Sequence, residues 1–222
     1  FAIVYVAYLA IAQTDMKRLI AYSSIAHMGF AVLGCFLVYS IIGMTGNYQD
    51  AYLSFEGAVV QMISHAFGSG AMFLGVGVLY DQMHSRMIKD YSGVASKMPV
   101  FAAFFMLFAM SNVGLPGTSG FVGEFMIILS AFRAHFWIAF FAASTLVLGA
   151  GYTLWLVKRV FFGPVVAGSG VEKLVDITLN EKLVFSLLAI GVLWIGLYPE
   201  WLLRLLHTSV NHILTISLQS RL

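Results

Sequence analysis

The chain has 222 residues, 60% of them hydrophobic and only 10% charged, with a mean hydropathy of +0.91. A soluble domain carries about 25% charged residues, so a soluble fold is excluded, and a net charge of +2 is too small to mark a nucleic-acid-binding surface. One cysteine, Cys35, excludes a disulfide framework and a cysteine metal cluster; inside its apolar run it reads as a small core residue. The expected fold class is all-α: a polytopic transmembrane helix bundle in which 21 glycines let backbones approach closely.

Residues 1–12 are apolar and lack a charged leader. They read as the tail of a helix cut off upstream, neither a signal peptide nor a complete span. A hydrocarbon core about 30 Å thick needs roughly 20 apolar residues as helix. Spans are therefore expected over about 19–39, 57–80, 98–133, 135–157 and 182–199. The segment 200–218 is apolar but carries Glu200, Arg204, His207 and His212, which fits an interfacial amphipathic helix or a weak further span. The longest loop, 159–181, holds Gly163-Pro164 and Gly168-Ser169-Gly170 and should be irregular.

Alternating topology sorts the basic residues. One side receives Lys17, Arg18, Arg86, Lys89, Lys97, Lys158, Arg159, Lys173 and Lys182; the other receives Arg133, Arg204 and Arg221. The richer side is the cytoplasm or matrix by the positive-inside rule, and the bias holds only if 98–133 crosses once. Lys17 and Arg18 then act as anchors, with Asp15 as helix cap or ion partner, and Lys158 and Arg159 as snorkelling ends.

That crossing is interrupted. Ser111-Asn112-Val113-Gly114-Leu115-Pro116-Gly117-Thr118-Ser119-Gly120 contains proline, three glycines and short polar side chains. An unpaired backbone group in lipid costs several kcal/mol, so a break at Gly114, Leu115, Pro116 and Gly117 implies cover by protein or water. A half-helix N-terminus would then lie near mid-membrane, as in transporter ion sites.

Ionisable residues at this depth are candidate functional groups. Glu124 follows the break in Gly120-Phe121-Val122-Gly123-Glu124-Phe125-Met126; it must be paired, hydrated or protonated. His65 lies mid-span with Gln61, Ser64 and Ser69 nearby to support it, and His27 lies two turns into its own helix beside Ser23 and Ser24. Histidine is the natural proton carrier near neutral pH. Each histidine alone reads equally well as a satisfied packing residue; with Glu124, the three on neighbouring helices suggest a proton relay. His84, His135, His207 and His212 lie near span ends and receive no role. No phosphate loop, dinucleotide fingerprint, zinc signature or nucleophile elbow occurs, so neither a cofactor nor a metal is expected in this chain.

The run Gln13-Thr14-Asp15-Met16-Lys17-Arg18 through Ser23-Ser24-Ile25-Ala26-His27-Met28-Gly29 resembles the signature of the antiporter-like subunits of respiratory complex I. So do the segment around His65 and the run Leu115-Pro116-Gly117-Thr118-Ser119-Gly120-Phe121-Val122-Gly123-Glu124-Phe125. The resemblance covers essentially the whole chain. Glutamate at position 124 points to the subunit M (chain 4) branch, since the paralogous branches usually carry lysine there. Mrp-type cation/proton antiporters and membrane-bound hydrogenases share the fold and form the alternative reading; a membrane scaffold without transport is the third.

The resemblance implies an antiporter-like inverted-repeat fold. Residues 1–158 correspond to the second half-channel repeat, 159–181 to a cytoplasm- or matrix-side loop, and 182–222 to the last transmembrane helix and tail. It implies a proton relay through Glu124, His65 and His27 toward a lysine upstream of residue 1, driven by quinone reduction elsewhere. The implied partners are neighbouring membrane-arm subunits, an N-terminal half and lipids, with FMN, iron–sulfur clusters and quinone held by other parts of the complex. The implied location is the mitochondrial inner membrane or the bacterial plasma membrane.

Overall fold

The computed structural model describes residues 2–166 and 168–219; Phe1, Ala167 and residues 220–222, including Arg221, lie outside the described residues. Among the described residues nine α-helices follow in order: α1 (Ala2–Ile11), α2 (Met16–Thr45), α3 (Tyr48–Met83), α4 (Val94–Lys97), α5 (Pro99–Val113), α6 (Ser119–Ala134), α7 (Phe136–Phe161), α8 (Leu179–Leu197) and α9 (Glu200–Gln219). Short 3₁₀ turns occupy Ile88–Asp90 and Gly170–Lys173. Helices α2, α3, α7 and α8 are each long and apolar enough to cross a membrane.

The helices overrun the apolar windows expected from hydropathy, because caps rather than hydrophobicity end them. Asp15 caps α2, its Oδ1 accepting from the Arg18 N–H at 3.1 Å. Gly46 closes α2 in the left-handed conformation at φ 64°, and Asn47 at once caps α3, accepting from Gln49 N–H at 3.0 Å. The expected loop around residues 40–56 is thus a two-residue turn. At 36 residues, α3 is about 54 Å long, more than the roughly 40–45 Å of a whole bilayer, so it tilts or projects. A Thr178/Glu181 capping box starts α8.

Helix α3 is the axis of the bundle. It packs against α2, α5, α6, α8 and α9, while α1 packs on α2 and α7. Close approach of α3 and α6 depends on Gly123: a Cβ there would lie 2.7 Å from the Gln61 backbone nitrogen.

The three loops rich in Lys and Arg meet at one end. Met16 N–H donates to Arg86 O at 2.9 Å and Ile88 N–H to Thr14 O at 2.9 Å. Gln82 and Val175 exchange two hydrogen bonds, and Asp176 accepts from the Val100 and Phe101 N–H groups at 2.9 and 3.1 Å. Arg133, paired with Asp50, marks the other end. The chain from Pro99 to Ala134 therefore passes from one end to the other once.

Helix α9 lies along the outer part of α3, where Tyr52 Oη donates to His207 O at 2.6 Å. It buries Leu202, Val210 and Leu214 and exposes Trp201, Leu205, Ile213 and Ile216. A larger share of its residues is polar than in the spanning helices. Cys35 is half-buried rather than a core residue.

Candidate functional site

The break spans 114–118, while Asn112 and Val113 still belong to the last turn of α5. Gly114 ends α5 at φ 81°, with its N–H directed to Met110 O and Ser111 O. Leu115 N–H returns to Met110 O at 3.0 Å, and Thr118 donates to Leu115 O through both N–H and Oγ1. Helix α8 covers the break: a Cβ on Gly196 would fall 2.4 Å from Gly117 O. Protein cover of this kind is what a non-helical stretch needs at membrane depth.

Three helices bring the candidate residues together. Glu124 is 2% exposed, and its Oε1 lies 2.6 Å from His27 Nδ1. The same oxygen accepts from Gln61 Nε2 at 3.1 Å. The ring of His65 stands 5.6 Å from that of His27, centroid to centroid. Ser69, expected to support His65, turns instead to Ser24, Oγ to Oγ at 2.8 Å. Charge on a buried group must be compensated locally, and His27 supplies that compensation when protonated.

The dipole of α6 does not explain this placement. Glu124 is the sixth residue of α6, beyond the first turn where a helix end acts strongly. What the break does is end α5 beside α6, so that Ser111 and Asn112 line the same space as Glu124.

Two cavities of about 10 Å³ each flank the carboxylate. Such a volume, with several polar walls, suits one water. The first lies among His27, Asn112, Thr145, Tyr152 and Glu124; the second among His27, Gln61, Ser64, His65, Ser111 and Glu124. Four buried polar atoms here have no partner among the described residues: Glu124 Oε2, His27 Nε2, Gln61 Oε1 and Ser64 Oγ. The site thus offers two titratable groups in direct contact, with unsaturated donors and acceptors around them.

A hydrogen-bond network that residue order alone does not reveal lies on the inner side of Glu124. Asn112 Nδ2 donates to Ser23 Oγ at 3.1 Å and to Thr153 Oγ1 at 3.0 Å, and Ser23 Oγ lies 3.1 Å from Tyr152 Oη. Asn112 inside the breaker run, and Tyr152 and Thr153 in an apolar helix, were the available signals. A second acid–histidine pair, Glu56 Oε1 to His207 Nδ1 at 3.5 Å, joins α3 to α9. No group of three or more metal-ligating side chains occurs among the described residues.

Apolar packing closes the site above and below. Along α2, Ala26 belongs to a cluster with Phe101, Phe105, Phe108 and Leu156, whereas Phe30 belongs to one with Ile41, Ile127 and Ala131. His27 lies at the junction between them.

Residues 1–149 match the NADH:quinone oxidoreductase/Mrp antiporter transmembrane family. The chain belongs to this family. Within it, NADH-quinone oxidoreductase subunit M of Rhodobacter capsulatus is 48% identical over 212 residues, covering 96% of this chain and 39% of that protein. NADH-ubiquinone oxidoreductase chain 4 of Marchantia polymorpha is 42% identical, covering 96% and 40%. The chain spans about two fifths of the length of these relatives. Among solved structures, respiratory complex I from Thermus thermophilus matches at TM-score 0.78 and 29% identity, over 96% of this chain and 42% of that one. The Mrp complex from Dietzia matches at TM-score 0.79 over 94% and 45%, but at 19% identity it shares the fold alone. The chain is therefore an antiporter-like membrane protein with an all-α, broken-helix fold.

Proposed function

We infer that this chain is part of a proton-translocating membrane-arm subunit of an NADH:quinone oxidoreductase in an energy-transducing membrane. On this reading it moves protons through Glu124, His27 and His65 while quinone reduction proceeds elsewhere in the complex. Residues 1–158 act as one half-channel, and neighbouring antiporter-like subunits and the remainder of the protein are its partners. FMN, iron–sulfur clusters and quinone belong to other parts of the complex. Relatives at 48% and 42% identity carry the names subunit M and chain 4, which favours this assembly over an Mrp antiporter.

One observation carries the relay: the 2.6 Å contact of His27 Nδ1 with Glu124 Oε1 inside the membrane. A proton moves from the carboxyl to Nδ1, and the imidazolium releases its Nε2 proton toward the cavity shared with His65. Histidine suits this exchange because its two nitrogens take and give protons on opposite edges of one ring. Gln61 holds the carboxylate oxygen while the proton is away. A water in either cavity extends the path, to His65 on one side and to Asn112 and Tyr152 on the other.

The test is purification of the full-length protein with its native partners, followed by reconstitution into sealed vesicles. The expected result is copurification of flavin and iron–sulfur clusters, with proton uptake or release driven by NADH oxidation. Cation/proton exchange without bound flavin would assign the chain to an Mrp-type assembly. A complex that pumps equally without the relay residues would leave it a scaffold.

A further inference from the structure

A groove of about 820 Å³ runs between α3 and α8 on the outside of the bundle. Its walls are Phe73, Leu74 and Val78 from α3, and Val184 and Leu188 from α8. Its floor is Ala66, Gly70 and Gly77. A Cβ built on Gly70 or Gly77 meets nothing within 4 Å, so these glycines do not serve helix contacts within the described residues; they leave the groove deep.

Polar residues gather only at the end facing the basic loops: Lys17, Asp81, Asn180 and Glu181. Lys17 and Asp81 join no ion pair among the described residues. Glu181 Oε2 is held by Thr178. One cation and two acids at the mouth disfavour a purely anionic headgroup. A headgroup with both a phosphate and a primary amine matches it: the phosphate meets the Lys17 ammonium, and the amine donates to the Asp81 carboxylate.

The dimensions fit the same occupant. Ala66 and Asp81 are 15 residues apart on one helix, about 22 Å along its axis. One leaflet with its headgroups is about 20–22 Å thick. The apolar floor therefore lies at acyl-chain depth and the polar mouth at headgroup depth.

We propose that this groove binds one aminophospholipid of the leaflet at the basic-loop end, its acyl chains along Gly70 and Gly77 and its headgroup between Lys17 and Asp81. The site is independent of the proton relay: the groove shares no lining residue with the two cavities around Glu124, His27 and His65.

The test uses the assembled complex in lipid nanodiscs containing a phosphatidylethanolamine with a photoactivatable acyl chain, and in parallel the phosphatidylglycerol and phosphatidylcholine analogues. Labelling of the peptide spanning 66–78 is read by mass spectrometry. We expect phosphatidylethanolamine to label about tenfold more than either analogue. Asp81→Asn and Lys17→Gln each abolish that preference, and Gly77→Leu, which fills the floor, abolishes labelling. Equal labelling by all three lipids of the unmodified complex means unselective contact and overturns the proposal. No labelling by any of them means that a protein segment fills the groove, and overturns it too. Both readings come from the unmodified protein and do not depend on how any variant folds.

Discussion

His27 and Glu124, 97 residues apart in the chain, meet Nδ1 to Oε1 at 2.6 Å. Neither group has another charged partner among the described residues. The pair should therefore behave as a unit. Removing His27 leaves a buried carboxylate uncompensated, a change that costs about 3–5 kcal/mol when the remaining charge cannot be shed. His27→Gln should lower the thermal stability of the assembled complex more than the double variant His27→Gln/Glu124→Gln does. A double-mutant cycle by thermal unfolding should give a coupling of about 1–3 kcal/mol; strictly additive effects would mean that the two side chains do not interact.

Gly123 holds α6 against Gln61. Gly123→Ala puts a methyl 2.7 Å from the Gln61 backbone nitrogen, and backbone cannot yield as a flexible side chain can. Overpacking of this kind costs about 1–3 kcal/mol and shifts Glu124 away from Gln61. Gly151→Ala, where an added Cβ meets nothing within 4 Å, is the control. Assembly measured by native gels should fall for the first variant and hold for the second.

The start of α5 has no local cap. Met98 at the cap position makes no side-chain hydrogen bond, and Asp176 from the loop before α8 accepts from Val100 and Phe101 instead. Asp176→Ala should cost about 0.5–2 kcal/mol. Hydrogen exchange should quicken at residues 99–103 while the 119–134 peptide changes little. Unchanged exchange at 99–103 would show that Asp176 does not hold that end.

Sidedness has a direct test in a Cys35→Ala background. Glu172→Cys, on the loop at the basic end, should react with an impermeant maleimide from the cytoplasmic or matrix side. Asn47→Cys, in the exposed turn between α2 and α3, should react only from the opposite side. Labelling of both positions from one side would contradict a single crossing by α5 and α6.

Local features of this fold are legible in residue order, and contacts between helices are not. Apolar runs located the spans, since hydropathy is a local property. The proline and glycines of 114–117 marked the break for the same reason. Span ends were misplaced where a cap decides them: Gly46 and Asn47 compress an expected loop into a turn. Glu124, His27 and His65 stood out because ionisable groups are rare in apolar helices. Their arrangement did not, because the contacts of Glu124 with His27 and Gln61 depend on how three helices pack. Asp176 is not legible as a cap for the same reason, being 75 positions from Phe101, whose N–H it accepts. The break starts a half-helix, as its residues predict, but Glu124 lies one and a half turns into α6 and is held by side chains rather than by the helix end.

In the proposed relay Glu124 carries a proton. Glu124→Gln keeps size and hydrogen bonding but removes titration, whereas Glu124→Asp keeps titration and shortens the reach. The decisive measurement is NADH-driven proton pumping by the reconstituted complex, normalised to the amount assembled. A relay predicts that Glu124→Gln assembles yet pumps about tenfold less or worse, with Glu124→Asp retaining partial activity. Full pumping by Glu124→Gln, or a milder defect in Glu124→Gln than in Glu124→Asp, would contradict the account and leave Glu124 a structural residue.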